Sequence, residues 1–104
     1  NLTPHDIVIR LSDGDRVIPA SGTVARVATS QVPAGTIDGI PVSAQTFGQI
    51  EGLPEPQEGV TFIVSAIVLA AAKETGRTDV VAPDTTNAIR NEAGQIVAVP
   101  GLVK

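Results

Sequence analysis

From Asp6 to Leu11 apolar and polar residues alternate, with Ile7, Ile9 and Leu11 on one side and Asp6, Val8 and Arg10 on the other, the period of a half-buried strand. Ser12-Asp13-Gly14-Asp15 supplies hairpin-turn residues and Arg16-Val17-Ile18 the returning strand. Pro19 ends that strand, because proline cannot donate to a ladder. Thr23 to Thr29 predicts a third strand with Val24, Arg26 and Ala28 on one face, broken by Pro33-Ala34-Gly35. Ile37-Asp38-Gly39-Ile40 reads as a second tight turn, leading into a long, mostly polar strand from Val42 to Ile50 in which Gly48 marks a bulge.

Val60 to Val64 is still β-like, but from Val64 the period changes. Val64, Ile67, Val68, Ala71 and Ala72 recur at helical spacing, which predicts a helix from Val64 to Thr75 with Ser65 as its cap and Gly76 as its end. Ile63, Ala66, Leu69 and Ala70 make its other sides apolar too, and Lys73 and Glu74 are its only charges, so the helix should be wrapped by sheet or buried between subunits. Beyond it, Asp79-Val80-Val81-Ala82 is a short strand closed by Pro83. Ala88-Ile89-Arg90 and Gln95 to Val99 form a closing hairpin around Asn91-Glu92-Ala93-Gly94, with Gly94 in the left-handed position. The expected fold is one domain over residues 1–104, mainly β (α+β): an antiparallel sheet or partly closed barrel of short strands with one apolar helix packed on it.

Composition sharpens this picture. With 104 residues, 42% hydrophobic and 17% charged, the chain can bury a core without staples. Two Phe and no Tyr, Trp or Met leave that core to Val, Ile, Leu and Ala. A core of small side chains gains little per residue, so self-association into a homo-oligomer is expected. Seven Lys and Arg against eleven Asp and Glu give a net charge of -4 with no basic stripe, which argues against nucleic acid, as does the lack of aromatic stacking platforms. No cysteine means no disulfide, no thiolate nucleophile and no cysteine metal site. Asn1-Leu2-Thr3-Pro4-His5 has neither the basic nor the apolar region of a signal peptide, which predicts a cytoplasmic protein. The most apolar stretch, Phe62 to Ala72, falls short of the ~20 residues of a membrane span, so no membrane partner is expected.

Candidate chemistry is thin. The single histidine, His5, would have to serve any Ser-His-Asp arrangement, and no Gly-x-Ser-x-Gly elbow accompanies it, so no catalytic residue is assigned; a small hydrolase using His5 and a carboxylate ranks third among the functional readings. Asp13 with Asp15, and Asp79 with Asp84, lack the further acidic ligands of a calcium loop, and neither metal nor cofactor is implied. Gly35-Thr36-Ile37-Asp38-Gly39 is too sparse for a dinucleotide fingerprint. Two arginines stand out as anion contacts: Arg26, preceded by Ser21 and Gly22 whose turn can aim backbone N–H groups at an anion, and Arg90 beside the Asn91 amide. The competing reading is that both pair with carboxylates such as Glu51 or Glu92 across the sheet. Arg16 beside Asp15 and Arg77 near Asp79 are more simply local charge neutralisation.

Leu2-Thr3-Pro4-His5, Pro19-Ala20-Ser21-Gly22, Ala25-Arg26, Gly52-Leu53-Pro54, Ile63-Val64-Ser65, Asp79-Val80-Val81-Ala82-Pro83 and Arg90-Asn91 to Gly94, in this order, resemble an uncharacterised family of roughly 100-residue proteins associated with bacteriophages and prophages, chiefly of actinobacteria. The resemblance implies a bacterial or phage cytoplasmic setting and no particular activity. The leading expectation is a non-enzymatic binding protein that sequesters a small anionic, nucleotide-like ligand or blocks a host protein. A structural or assembly protein of a phage particle is the alternative.

Overall fold

The computed structural model describes residues 1–104. Strand makes up 46% and helix 12%, which places the chain in the mainly β, α+β class. The sheets are small and do not close into a barrel.

The first hairpin pairs β1 (Ile7–Leu11) with β2 (Gly14–Ile18), Leu11 facing Gly14 across the Ser12-Asp13 turn. The second is much longer. β3 (Arg26–Ile37) and β4 (Ile40–Glu51) are 12 residues each and run antiparallel around Asp38-Gly39, whose φ values of 52° and 76° give the doubly left-handed turn that matches strand twist. The expected break at Pro33-Ala34-Gly35 does not occur. Pro33 pairs with Ser43 and Thr36 with Pro41, so Ala34 and Gly35 together oppose Val42 as a bulge, and Gly35 at φ 100° absorbs the extra residue. Proline is tolerated because each strand of a two-stranded ribbon has an unpaired edge. Gly48 does lie at a bulge: Val27 pairs with Ile50 and Thr29 with Phe47, leaving Gly48 and Gln49 opposite Ala28.

The body forms around β5 (Phe62–Ile63), α1 (Ala66–Glu74) and β6 (Val80–Pro83). Here the antiparallel expectation fails locally. β5 and β6 are parallel, because α1 is the crossover that returns the chain to the same end of the sheet. The start of the chain extends this sheet, the Leu2 amide donating to the Ile63 carbonyl at 2.7 Å and the Ala25 amide to the Leu2 carbonyl at 3.0 Å. On its other side β6 pairs antiparallel with β9 (Leu102–Val103). A single 3-10 turn (Thr85–Asn87) leads to the hairpin of β7 (Ile89–Arg90) and β8 (Ile96–Ala98), turned at Gly94 with φ 80°. Val99 then runs parallel to β1, its amide donating to Val8 and its carbonyl accepting from Arg10, both at 2.9 Å.

The period of two on the central strands creates two cores. Phe62, Val64, Val80 and Ala82 point to one face, where they meet Val68, Leu69 and Ala72 of the helix together with Leu2 and Ala25. Ile63 and Val81 point to the other, against Ile7, Ile9 and Val99. Ser65 caps α1 as expected, its hydroxyl accepting weakly from Val68 and its carbonyl accepting from Leu69. At the far end the Gly76 amide donates to Lys73 and the Arg77 amide to Ala72, the paired bonds of a Schellman stop with Gly76 at φ 82°. The buried arc of the helix differs from the sequence expectation. Leu69 is buried and Ile67 is 42% exposed, because the buried arc is centred between Val68 and Ala72, a direction from which Leu69 lies about 80° and Ile67 about 120° away. No helix is long and apolar enough to cross a membrane.

Candidate interaction surfaces

The arm formed by β3 and β4 is attached to the body only at its base, where Val27 and Ile50 pack on the core around Val68 and Leu2. Beyond that, every residue from Ala28 to Pro41 is exposed, including Ile37 at 65% and Ile40 at 64%, which bracket the turn at the tip. Between Arg26 and Glu51, themselves cross-strand partners, the only charge is Asp38. Side-chain bonding along the arm is sparse, with Ser30 and Thr46 hydroxyls meeting at 2.8 Å. An isolated two-stranded ribbon is marginally stable in water, and natural proteins guard long strand edges with charge, a guard that this arm lacks between Arg26 and Glu51 apart from Asp38.

On the body, a cleft of about 480 Å³ opens where β1, β8 and the start of α1 converge. Ile7, Val8, Ile96, Val97 and Val99 supply its apolar wall, while Thr3, His5, Asp6, Ser65 and Thr85 are the polar groups around it. The His5 side chain is exposed, and its structural contribution comes from its backbone carbonyl. That carbonyl accepts from the Asn1 Nδ2 at 2.9 Å and the Thr3 hydroxyl at 3.0 Å. The same Asn1 amide donates to the Ile18 carbonyl, and its Oδ1 accepts from the Thr3 amide and hydroxyl, clasping the start of the chain to β2. Asp6 Oδ1 accepts from the Ala20 amide.

The residues singled out as anion contacts lie apart from this cleft. Arg26 is exposed and lines a second, smaller hollow of about 280 Å³ with Val24, Ile67 and Val68; it faces Glu51 in register but forms no ion pair. Ser21 closes a local turn, its hydroxyl donating to the Thr23 carbonyl, with Gly22 at φ 92°. Arg90 donates to the Gly94 carbonyl at 2.8 Å. Asn91 holds the same turn, its Oδ1 accepting from the amides of Ala93 and Gln95. Neither hollow is lined by both arginines. Of the remaining charges, Arg77 forks onto both oxygens of Asp79 at 2.8 and 2.9 Å and reaches the Pro54 carbonyl at 2.9 Å. The hydrogen bond from Arg77 holds the Asp79 carboxyl below its ordinary range. Asp15, expected to be neutralised by Arg16, is bonded instead by Arg10, its direct cross-strand partner.

No family model matches this chain, and no similar protein was found among curated sequences or solved structures.

Proposed function

We propose that the protein is a non-enzymatic interaction protein of the phage-assembly type, acting in the bacterial cytoplasm, whose β3–β4 arm docks onto a second copy of the same chain. One observation carries this reading: two 12-residue strands that leave the body with apolar residues at their tip and Asp38 as the only charge between Arg26 and Glu51. Such an arm gains stability only when something covers it. A small core of aliphatic side chains, which profits from further burial, favours the same conclusion. The resemblance to phage and prophage proteins bears on the cytoplasmic setting of the proposal and does not rank assembly above ligand binding or the blocking of a host protein.

The test is light scattering on the purified chain over a range of concentrations, beside an Ile37→Lys/Ile40→Lys variant. The wild type should associate and the variant should remain monomeric with unchanged circular dichroism. A wild type that stays monomeric throughout, or a variant that associates equally well, overturns the proposal.

A second reading, sequestration of a small anionic ligand, draws on Arg26, which lines the smaller hollow without a carboxylate partner. Calorimetric titration of nucleotides against the wild type, Arg26→Ala and Arg90→Ala tests it. Binding weakened by the substitutions supports the reading, and binding that survives both places the site elsewhere.

A further inference from the structure

We infer that two copies of the chain join their arms edge to edge, β4 against β4 in an antiparallel register centred on Gln45, so that the two ribbons become one four-stranded sheet. The inference rests on the proposal that the arm docks on a second copy, and it names the edge through which it does so.

The two outer edges of the arm are not equivalent. In an antiparallel ladder successive residues turn their main-chain N–H and C=O groups alternately toward the partner strand and away from it. Pro33 has no N–H yet keeps its place opposite Ser43, so the main-chain groups of this pair point outward. Ser30 points inward, since the Thr46 hydroxyl reaches its carbonyl at 3.3 Å. Thr29, Gln31 and Pro33 therefore form the outer edge of β3, and Ser43, Gln45 and Phe47 that of β4. The β3 edge lacks a donor at Pro33 and is bent by the bulge at Ala34 and Gly35. The β4 edge offers a donor and an acceptor at each of its positions, and no charged residue lies between Ile40 and Ile50 to repel a strand laid along it.

This edge is complementary to itself. Pro41 limits it toward the tip, because proline supplies no donor, and the bulge at Gly48 and Gln49 limits it toward the body. Between these limits a single antiparallel register of two identical strands uses every outward residue: Gln45 faces Gln45 of the second copy, and Ser43 faces Phe47 in both directions. Each facing pair exchanges two main-chain hydrogen bonds, about six in all. A marginal two-stranded ribbon thereby gains the further strands that give a sheet stability of its own. The same register shelters the tip, since it lays Ile40 of one arm alongside Ile50 at the root of the other. Charge does not oppose it. The two arm roots lie at opposite ends of the shared sheet, roughly 40 Å apart at the ~3.4 Å rise of a 12-residue strand. That is several times the ~8 Å Debye length at physiological salt, so the net charge of -4 on each chain is screened from the other. The contact is twofold and closes as a dimer.

The chain has no cysteine, so a single substitution provides a clean reporter. Gln45 and Gln31 face each other across the arm, both exposed, but belong to its opposite outer edges. Residues of a hydrogen-bonded antiparallel pair have α-carbons about 5.5 Å apart, within the range of a disulfide. On mild oxidation Gln45→Cys should therefore form a disulfide-linked dimer, and Gln31→Cys should not. Gln45→Pro removes a donor from the outer edge alone and should weaken association, read by light scattering, about tenfold or more, whereas Gln31→Pro should leave it unchanged. Cross-linking of Gln31→Cys together with loss of association in Gln31→Pro would assign the contact to β3 and overturn the inference. A chain that associates, and that Ile37→Lys/Ile40→Lys keeps monomeric, but in which Gln45→Cys cross-links no more than Gln31→Cys, overturns it too while leaving arm-mediated assembly standing. A chain that stays monomeric throughout defeats both and leaves the edge to a strand of another protein.

Discussion

A β-carbon placed on Gly52 would lie 2.6 Å from the carbonyl oxygen of Val24, closer than any side chain tolerates. Gly52 also holds φ 80°, in the left-handed region. It ends the arm just after Glu51, where the returning strand passes against the segment that leads into β3, so the backbones of the two arm roots touch here. Gly52→Ala should destabilise the fold by about 2 kcal/mol or more, combining the left-handed cost with a clash against backbone that cannot swing aside. Denaturant unfolding measures it. Gly59→Ala, at φ 75° but in open space, provides the strain-only control and should cost less.

The helix offers a second comparison. Val68 is buried beneath the central strands, whereas its neighbour Ile67 is largely open. Val68→Asp should cost about 3–5 kcal/mol, since an unpaired carboxylate would replace a core methyl pair. Ile67→Asp should cost no more than about 1 kcal/mol. Chemical denaturation of both variants, with circular dichroism confirming the helix, distinguishes the observed arc from the sequence-predicted stripe that includes Ile67.

The start of the chain makes a third prediction. Asn1→Ala removes a side chain that bonds Thr3, His5 and Ile18 and should lower stability by about 1–3 kcal/mol. His5→Ala should leave stability almost unchanged, because the bonds at that position go to its carbonyl. Thermal melts of the two variants against the wild type make the comparison.

Acid should act through Asp79. Its carboxyl titrates below its ordinary value of 3.8 because Arg77 hydrogen-bonds it, with Coulomb attraction adding to the effect and partial desolvation opposing it. A depressed folded pKa contributes stability that is complete above the unfolded value and is lost as pH falls through the folded one. Asp79→Asn should therefore lower Tm at neutral pH, and its deficit should shrink below about pH 4 until the two proteins melt alike. A deficit independent of pH would mean that the pair contributes geometry alone.

Much of this architecture is legible in the chain because local chemistry fixes it. Asp38-Gly39 and Gly94 demand left-handed turns, Ser65 and Gly76 bound the helix, and the alternation around Ile7 and Ile9 survives into the second core. What local pattern misses is set by tertiary pairing. Gly35 absorbs an extra residue, so Pro33 reads as a stop when it is the approach to a bulge. The parallel registration of Phe62 with Val80 depends on where α1 delivers the chain, and nothing in either short strand encodes its direction. The cleft was invisible for the same reason. His5, Ser65 and Val97 come together through the bridge from Val99 to Ile9 and the pairing of Leu2 with Ile63, contacts between residues far apart in sequence. Arg26 and Arg90 stood out as unneutralised charges, but their strands carry them to different surfaces.

The chain enters and leaves the arm through a single cross-strand couple, Arg26 opposite Glu51. Insertions or deletions that take the same even number of residues from each strand would preserve which face every remaining side chain occupies and would leave the body untouched. The reach of this protein is thus an evolvable ruler, adjustable in steps of roughly 7 Å per pair of residues on each strand without renegotiating the fold that carries it.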